Sequence, residues 1–240
     1  MKQIRIRRAA ALSLDEQREL HRLHARFFDN AGWDEFQADF AEKDYVITAA
    51  DASEYLAFST IKLHDELVDG RRTVFLFSGD TIVHPDYWQA NLLAPAFSAF
   101  LGRMIDDYGE VPLYWFLITK GYRTYMYLPT FFEDYYPRPD APTPPAIRRL
   151  IEYIARRRFG DRYDPETGII GFDGGRDYLN ADLRRVPELR ADGKYVSFFL
   201  KANPGYGRGD ELACLTRCAR DNIKPLGLRL LAFTGVKWEI

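Results

Sequence analysis

Cysteine is scarce: Cys214 and Cys218 are the only two in the chain. Two cysteines cannot make a disulfide framework, and no His or Cys neighbours complete a zinc-ligand pattern, so no metal is expected. Long apolar runs are missing too. No stretch approaches the ~20 residues of a membrane span and no signal-type apolar segment follows Met1, so a cytoplasmic protein is expected. An excess of either charge is also absent. With 33 Lys and Arg against 35 Asp and Glu, the formal net charge is −2, which gives no general attraction for nucleic acid or an anionic membrane. The 47% hydrophobic and 15% aromatic content is too high for a disordered chain. At 240 residues, the chain suits one large domain or a domain with an extension, and can bury a sizeable core.

What the chain does have is concentrated in residues 73–101, TVFLFSGDTIVHPDYWQANLLAPAFSAFL. The dense apolar run over 73–83 predicts a buried strand. Ser78-Gly79-Asp80 inside it predicts a bulge or a close approach to the backbone. His84-Pro85-Asp86 breaks that strand. From Trp88 onward Leu92, Leu93, Ala96, Phe97, Phe100, Leu101 and Met104 recur at helical steps, so a helix is expected from there. Free N–H groups in its first turn offer a seat for a phosphate.

Upstream, alternation over 2–8 predicts a first strand with one exposed face. Ser13-x-x-Glu16 is a capping-box pattern opening a helix that ends near Gly32, and Phe36 and Phe40 mark a shorter helical piece. Strands are expected at 44–49 and 54–64, and an Asp69-Gly70 turn feeds the central strand. His64 and Glu66 fall at a strand end and read as exposed. Downstream, 111–118 (VPLYWFLI) reads as a fifth buried strand, parallel to the central one through a right-handed crossover.

The succession of a strand, Val83-His84-Pro85, a polar turn and a helix resembles the acyl-CoA-binding segment of the GNAT acyltransferase superfamily. The order strand, helices, three-strand meander, helix, strand over residues 1–135 resembles that family as well. The resemblance implies an α/β (α+β) fold: a mixed, mostly antiparallel central sheet with splayed parallel strands and flanking helices. Residues 136–240 then form a C-terminal αβ extension packed on the same sheet. In that family V-x-P leads into [Q/R]-x-x-G-x-[G/A], whose loop amides hold the pyrophosphate of coenzyme A. Gln89 and Ala94 match, while Leu92 stands in place of the first glycine. The implied cofactor-binding residues are therefore Val83, Gln89, Ala90, Asn91, Leu92, Leu93 and Ala94.

The family's proton donor to the departing thiolate, a Tyr about seven residues past the second parallel strand, falls on Tyr127, with Tyr125 next to be considered. The usual Asn at the start of that stretch is absent, and Phe131-Phe132 stands where many members carry Gly-Phe. Asp80 and His84 are the candidate bases. Each also has a structural reading: the tyrosines as packing residues, Asp80 as a turn residue and His84 as a helix-entry residue.

Residues 134–145 form a proline-rich connection in which no regular structure is expected. Pro144-Pro145 opens a helix with Ile147, Leu150, Ile151 and Ile154 inward, and Arg156, Arg157 and Arg158 read as part of a solvated face. Residues 163–178 read as loop with a short strand at 168–171. Residues 195–200 read as a buried strand, followed by a glycine-rich loop and a helix carrying Leu212, Cys214, Leu215 and Cys218, capped by Asp210 and Glu211. The chain thus reads as an acyltransferase. Its donor is acyl-CoA or acetyl-CoA, or the phosphopantetheine arm of acyl carrier protein, and its acceptor is a small-molecule amine or hydroxyl. The alternative is a GNAT-shaped binding or interaction module without catalysis, which the missing glycine and the absent Asn favour.

Overall fold

The computed structural model describes residues 2–52, 54–172, 178–180, 186 and 191–240. Strand β1 (Gln3–Arg8) leads to helix α1 (Leu14–Ala25), the two-residue strand β2 (Phe28–Asp29) and helix α2 (Trp33–Ala41). The antiparallel meander β3 (Tyr45–Ala50), β4 (Tyr55–Val68) and β5 (Arg71–Val83) follows. Helix α3 (Ala94–Tyr108) then crosses to β6 (Leu113–Thr119), and short helices α4 (Tyr122–Tyr125) and α5 (Tyr127–Phe131) come next. Beyond them lie β7 (Tyr135–Tyr136), α6 (Pro145–Phe159), β8 (Tyr163–Asp164), β9 (Ile169–Ile170) and β10 (Tyr178–Leu179). Helix α7 (Lys194–Ala202), β11 (Glu211–Arg217), α8 (Pro225–Leu231) and β12 (Lys237–Glu239) complete the described elements.

The main sheet runs β12-β1-β3-β4-β5-β6-β11-β9-β8, with β7 also on β11, while β2 and β10 form a separate ribbon. Its turns and caps follow local chemistry. Ser13 accepts from the Glu16 amide and the Glu16 carboxylate accepts from the Ser13 amide, closing the expected capping box. Asp69 and Gly70 both adopt positive φ, 50° and 78°, the pair a tight hairpin turn requires. β5 and β6 run parallel from Val74 opposite Leu113 to Ser78 opposite Leu117, and their pairing stops there. This topology, a meander joined through α3 to a parallel strand that then splays away, is the GNAT-like mixed fold the sequence implies. Among the described residues, no helix is long and apolar enough to cross a membrane.

Several elements differ from the sequence reading. Helix α1 stops at Ala25, short of Gly32, because the chain turns to pair Phe28 and Asp29 with residues 178 and 179. Residues 195–200 are helical. Val196 and Phe199, three apart, are the buried pair, and the Phe198 and Phe199 rings pack on Tyr125. Residues 211–217 are strand, not helix: β11 pairs with β6 and β9 along its edges, Leu212 and Cys214 fill the core on one face and Ala213 and Leu215 that on the other, and every residue but Arg217 is buried. Cys214 lies within that strand and Cys218 just past it, and burial pushes both thiols upward. Asp210 accepts from the Phe172 amide instead of capping a helix. The proline-rich connection is not wholly irregular, because Tyr135 and Tyr136 pair with β11. Residues 173–177 of the expected loop lie outside the described residues. Arg158 is not solvated: it lies over the Phe77 ring at 4.1 Å and reaches Asp39 and Glu42 at 3.4 and 3.5 Å.

His64 and Glu66 are not at a free strand end either. The Glu66 carboxylate accepts from Tyr153 and Arg157. His64 has a buried Nε2 with no hydrogen-bond partner, and its pKa falls from 6.5 to about 4. Burial is the main cause. Arg158 and Lys62 add to it, while Glu66 and Asp44 oppose it. The unfolded chain therefore binds more protons than the folded one between those values, and stability falls as pH drops from 6.5 towards 4. Urea midpoints measured at pH ~7 and ~4.5 should show a larger acid loss for the native chain than for His64→Leu. Identical losses would clear His64 of that role.

Candidate active site

The bulge in β5 shapes the site. Ser59 faces Thr81 and Ile61 faces Ser78, so Thr60 alone stands opposite Gly79 and Asp80. A Cβ on Gly79 would collide with Thr60 Oγ1 and lie 3.0 Å from Lys43 Cε, so only glycine fits there. Lys43 is buried beneath the bulge with its Nζ 2.6 Å from Asp39. Burial pulls its pKa down, while Asp39 and then Asp80 hold it up.

Where β5 and β6 part, three hollows meet. A cleft of about 220 Å3 is lined by Thr81, Val83, Asn91, Leu92, Lys120, Arg123 and Tyr127, among others. A hollow of about 100 Å3 in the wedge itself is bordered by Gly79, Asp80, Thr119, Lys120 and Glu211. An apolar cavity lies under α3, with Leu93, Ala94 and Tyr127 in its wall. Thr81 and Thr124 line all three. Asp80 also borders an outer cleft of about 340 Å3 between α2 and α6, where Asp39 and Arg158 lie.

The sequence-predicted residues divide accordingly. Tyr127 opens α5 and faces both the 220 Å3 cleft and the apolar cavity. Burial pushes its phenol pKa up, keeping it protonated at neutral pH. Tyr125 is fully buried and borders none of these hollows: its hydroxyl donates to the Pro137 carbonyl at 2.9 Å. Asp80 sits in the bulge, at the junction of the wedge and the outer cleft. His84 borders none of the hollows. Its Nδ1 accepts from the Asp86 amide at 3.3 Å, its ring edge meets Phe27 and Tyr87, and its Nε2 lies 3.0 Å from Arg26 Nη2.

Val83, Asn91 and Leu92 line the 220 Å3 cleft, whereas Leu93 and Ala94 line the apolar cavity. Ala90 is exposed, and the Gln89 side chain lies outside the described residues. The helix does not begin at Trp88. Residues 85–90 form a 3-10 turn capped by His84, Asn91 turns left-handed at φ 47°, and α3 starts at Ala94. Pro95 in the first turn marks that true start.

Sequence reasoning missed Thr81, Thr124 and Lys120, and read Glu211 as a helix cap. Lys120 Nζ stands 3.4 Å from the carboxylate of Glu211, which is 4% exposed. Alternation along β5 from Gly79 could have pointed to Thr81. Nothing local marks the others, since Glu211 enters the wedge from a strand distant in sequence. Among the described residues, no cluster of His, Cys, Asp and Glu has the make-up of a metal site.

No family model and no curated protein matches the chain. Several solved structures are similar to it. A GCN5-related N-acetyltransferase from Kribbella flavida is 16% identical with a TM-score of 0.41, over 56% of this chain and 34% of that one. An acyl-CoA N-acyltransferase from Pseudomonas aeruginosa is 17% identical with a TM-score of 0.40, over 57% of this chain and 92% of that one. A GNAT family N-acetyltransferase from Escherichia coli, solved in complex with CoA, is 14% identical with a TM-score of 0.38, over 54% and 68% of the two chains. The match spans about a third of the length of the Kribbella protein.

Proposed function

We propose that the chain is an acyltransferase that moves an acyl group from a CoA or phosphopantetheine thioester to an amine or hydroxyl of a small molecule. The observation that carries this reading is the parting of β5 and β6 after Ser78 and Leu117, with hollows from both sides meeting at Thr81 and Thr124. A donor entering from one side lays its thioester in that gap, where the acceptor reaches it from the other. Beyond the last pair β5 and β6 no longer hydrogen-bond to each other, which opens strand edges to the pantetheine amides. Lys120 and Arg123 border the same cleft as Asn91 and Leu92 and supply positive charge for the phosphates.

In the reaction, Asp80 accepts the proton of the acceptor nitrogen or oxygen as it attacks the thioester carbonyl. Amides of the bulge at residues 78–80 stabilise the charge on the carbonyl oxygen. The carbon–sulfur bond then breaks, and Tyr127 gives its proton to the leaving thiolate. Transfer of the proton from Asp80 back to Tyr127 through solvent restores both groups. His84, tied to the 3-10 turn and away from the hollows, is the weaker choice for the base. We read residues 1–135 as the catalytic core and 136–240 as an extension, which brings Glu211 to the wedge. A cytoplasmic location accords with a CoA donor.

The second reading, a binding module, draws on Leu92. It is 6% exposed and stands where the family's pyrophosphate loop has glycine. Titration calorimetry with CoA, a long-chain acyl-CoA and acyl-loaded carrier protein tests the donor. Binding of at least one, competed by CoA or by the free carrier protein, is expected. Heat absent from all three would remove the thioester donor.

A further inference from the structure

The apolar cavity lies between one face of the sheet and helices α3, α5 and α8 and has a volume of about 50 Å3. Polar groups on its floor satisfy one another. The Ser59 and Thr81 hydroxyls are 2.8 Å apart, Thr81 Oγ1 donates to the Gly79 carbonyl at 3.2 Å, and Trp115 Nε1 donates to Ser78 Oγ at 2.9 Å. The remaining walls are mostly carbon, supplied by Leu93, Phe97, Phe132, Ile223 and Leu231, with Ser98 among them. Such a surface offers no direction to a polar ligand, whereas an apolar guest breaks no hydrogen bond on entering. Its mouth is formed by Thr81, Thr124 and Tyr127, which also border the donor cleft. This cavity is therefore an apolar place for a carbon chain attached to a thioester carbonyl in the wedge.

We propose that this cavity receives the carbon chain of the donor's acyl group, and that the preferred group is short but longer than acetyl, of propionyl to butyryl size. This assignment rests on the thioester donor lying in the wedge. Volume sets the size limit. A cavity of ~150 Å3 admits the six carbons of benzene, so about 50 Å3 holds two carbons beyond acetyl. The far walls are tightly packed. A Cβ on Gly102 would lie 2.9 Å from the Leu231 carbonyl oxygen, and one on Gly227 would lie 2.6 Å from Ile223 Cγ2. Helix α8 is thus pressed onto α3, and a long chain would have to push it away.

Each buried methylene should tighten binding about fourfold, so butyryl-CoA should bind about 15-fold tighter than acetyl-CoA. Calorimetric dissociation constants for CoA and for acetyl-, butyryl-, octanoyl- and lauroyl-CoA on the full chain read this directly. The expected profile rises to butyryl and gains nothing further at octanoyl. Equal affinities for acetyl- and butyryl-CoA, with CoA itself bound, would overturn the cavity assignment and leave the donor reading standing. Binding by none of the five would remove the CoA donor and this assignment with it. A maximum at lauroyl would overturn the size limit. Ser98, whose side chain also lines the cavity, gives a filling variant: Ser98→Leu should abolish the acetyl-to-butyryl gain. Leu231→Ala should instead shift the maximum to a longer chain. Wild-type profiles in both variants would count against the cavity as the acyl site.

Discussion

Tyr127→Phe should lower turnover about 10²-fold while leaving donor affinity nearly unchanged. Tyr127 stands at the start of α5, where the donor cleft and the apolar cavity meet. Its ring stacks on Phe131 with centroids 6.0 Å apart, a contact phenylalanine retains. No hydrogen bond from its hydroxyl is found among the described residues, so removing the oxygen leaves no partner stranded. The raised phenol pKa keeps the proton in place at neutral pH, which suits a donor and not a base. A thiolate leaves more readily than an alkoxide, which holds the expected loss near the low end of general-acid effects. A binding module would show no turnover to lose, and the variant would change only its affinity or stability. Tyr125→Phe supplies the contrast. It removes the buried bond to the Pro137 carbonyl, at a cost of about 1 kcal/mol in stability, without touching the cleft. Full turnover in Tyr127→Phe would clear Tyr127 as the acid.

The meander and the parallel pair were legible because each of their strands carries its own signal. β5 and β6 are dense apolar runs, Asp69-Gly70 demands a tight turn, and Gly79 interrupts a strand where a side chain cannot fit. The capping box at Ser13 and Glu16 is similarly local. Residues 195–200 and 211–217 were misread because a short apolar block fits either period. The Gly- and Asp-rich loop before Glu211 imitates a helix entry, and only its neighbours β6 and β9 make the segment a strand. The start of α3 was misplaced because helical spacing runs back through Leu92 and Leu93, while the left-handed Asn91 breaks the helix without breaking the pattern. Tyr127 could be named from the family resemblance and Asp80 from the interruption at Ser78-Gly79-Asp80. Thr124 could not, and Glu211 reads in the sequence as a helix cap, since their meeting depends on register between distant strands.

Asn222→Ala should be the more damaging change to the fold, costing about 3 kcal/mol. Asn222 is 3% exposed and has every side-chain polar atom engaged. Its Nδ2 lies 3.0 Å from the Asp134 carbonyl, 3.1 Å from Thr216 Oγ1 and 2.8 Å from the Arg217 carbonyl, and its Oδ1 accepts from the Asp134 amide at 2.8 Å. Alanine leaves the part-buried Asp134 N–H and Arg217 carbonyl without these partners, and each such loss costs about 1–3 kcal/mol. Thr216 still donates to the Asp134 carbonyl at 2.7 Å, so the loss stays below the sum of every bond. For a chain of 240 residues, 3 kcal/mol corresponds to a fall in Tm of roughly 10 °C. Arg217→Ala is the control: its exposed i,i+4 pair with Asp221 at 2.8 Å should be worth under about 1 kcal/mol. The effect should also reach the site. Asn222 ties the segment after α5, which carries Tyr127, to β11 and to Ile223 in the cavity wall. Turnover measured well below the melting transition should therefore fall in Asn222→Ala and not in Arg217→Ala. Equal melting temperatures for the two variants would show that the Asn222 network contributes no more than a surface ion pair.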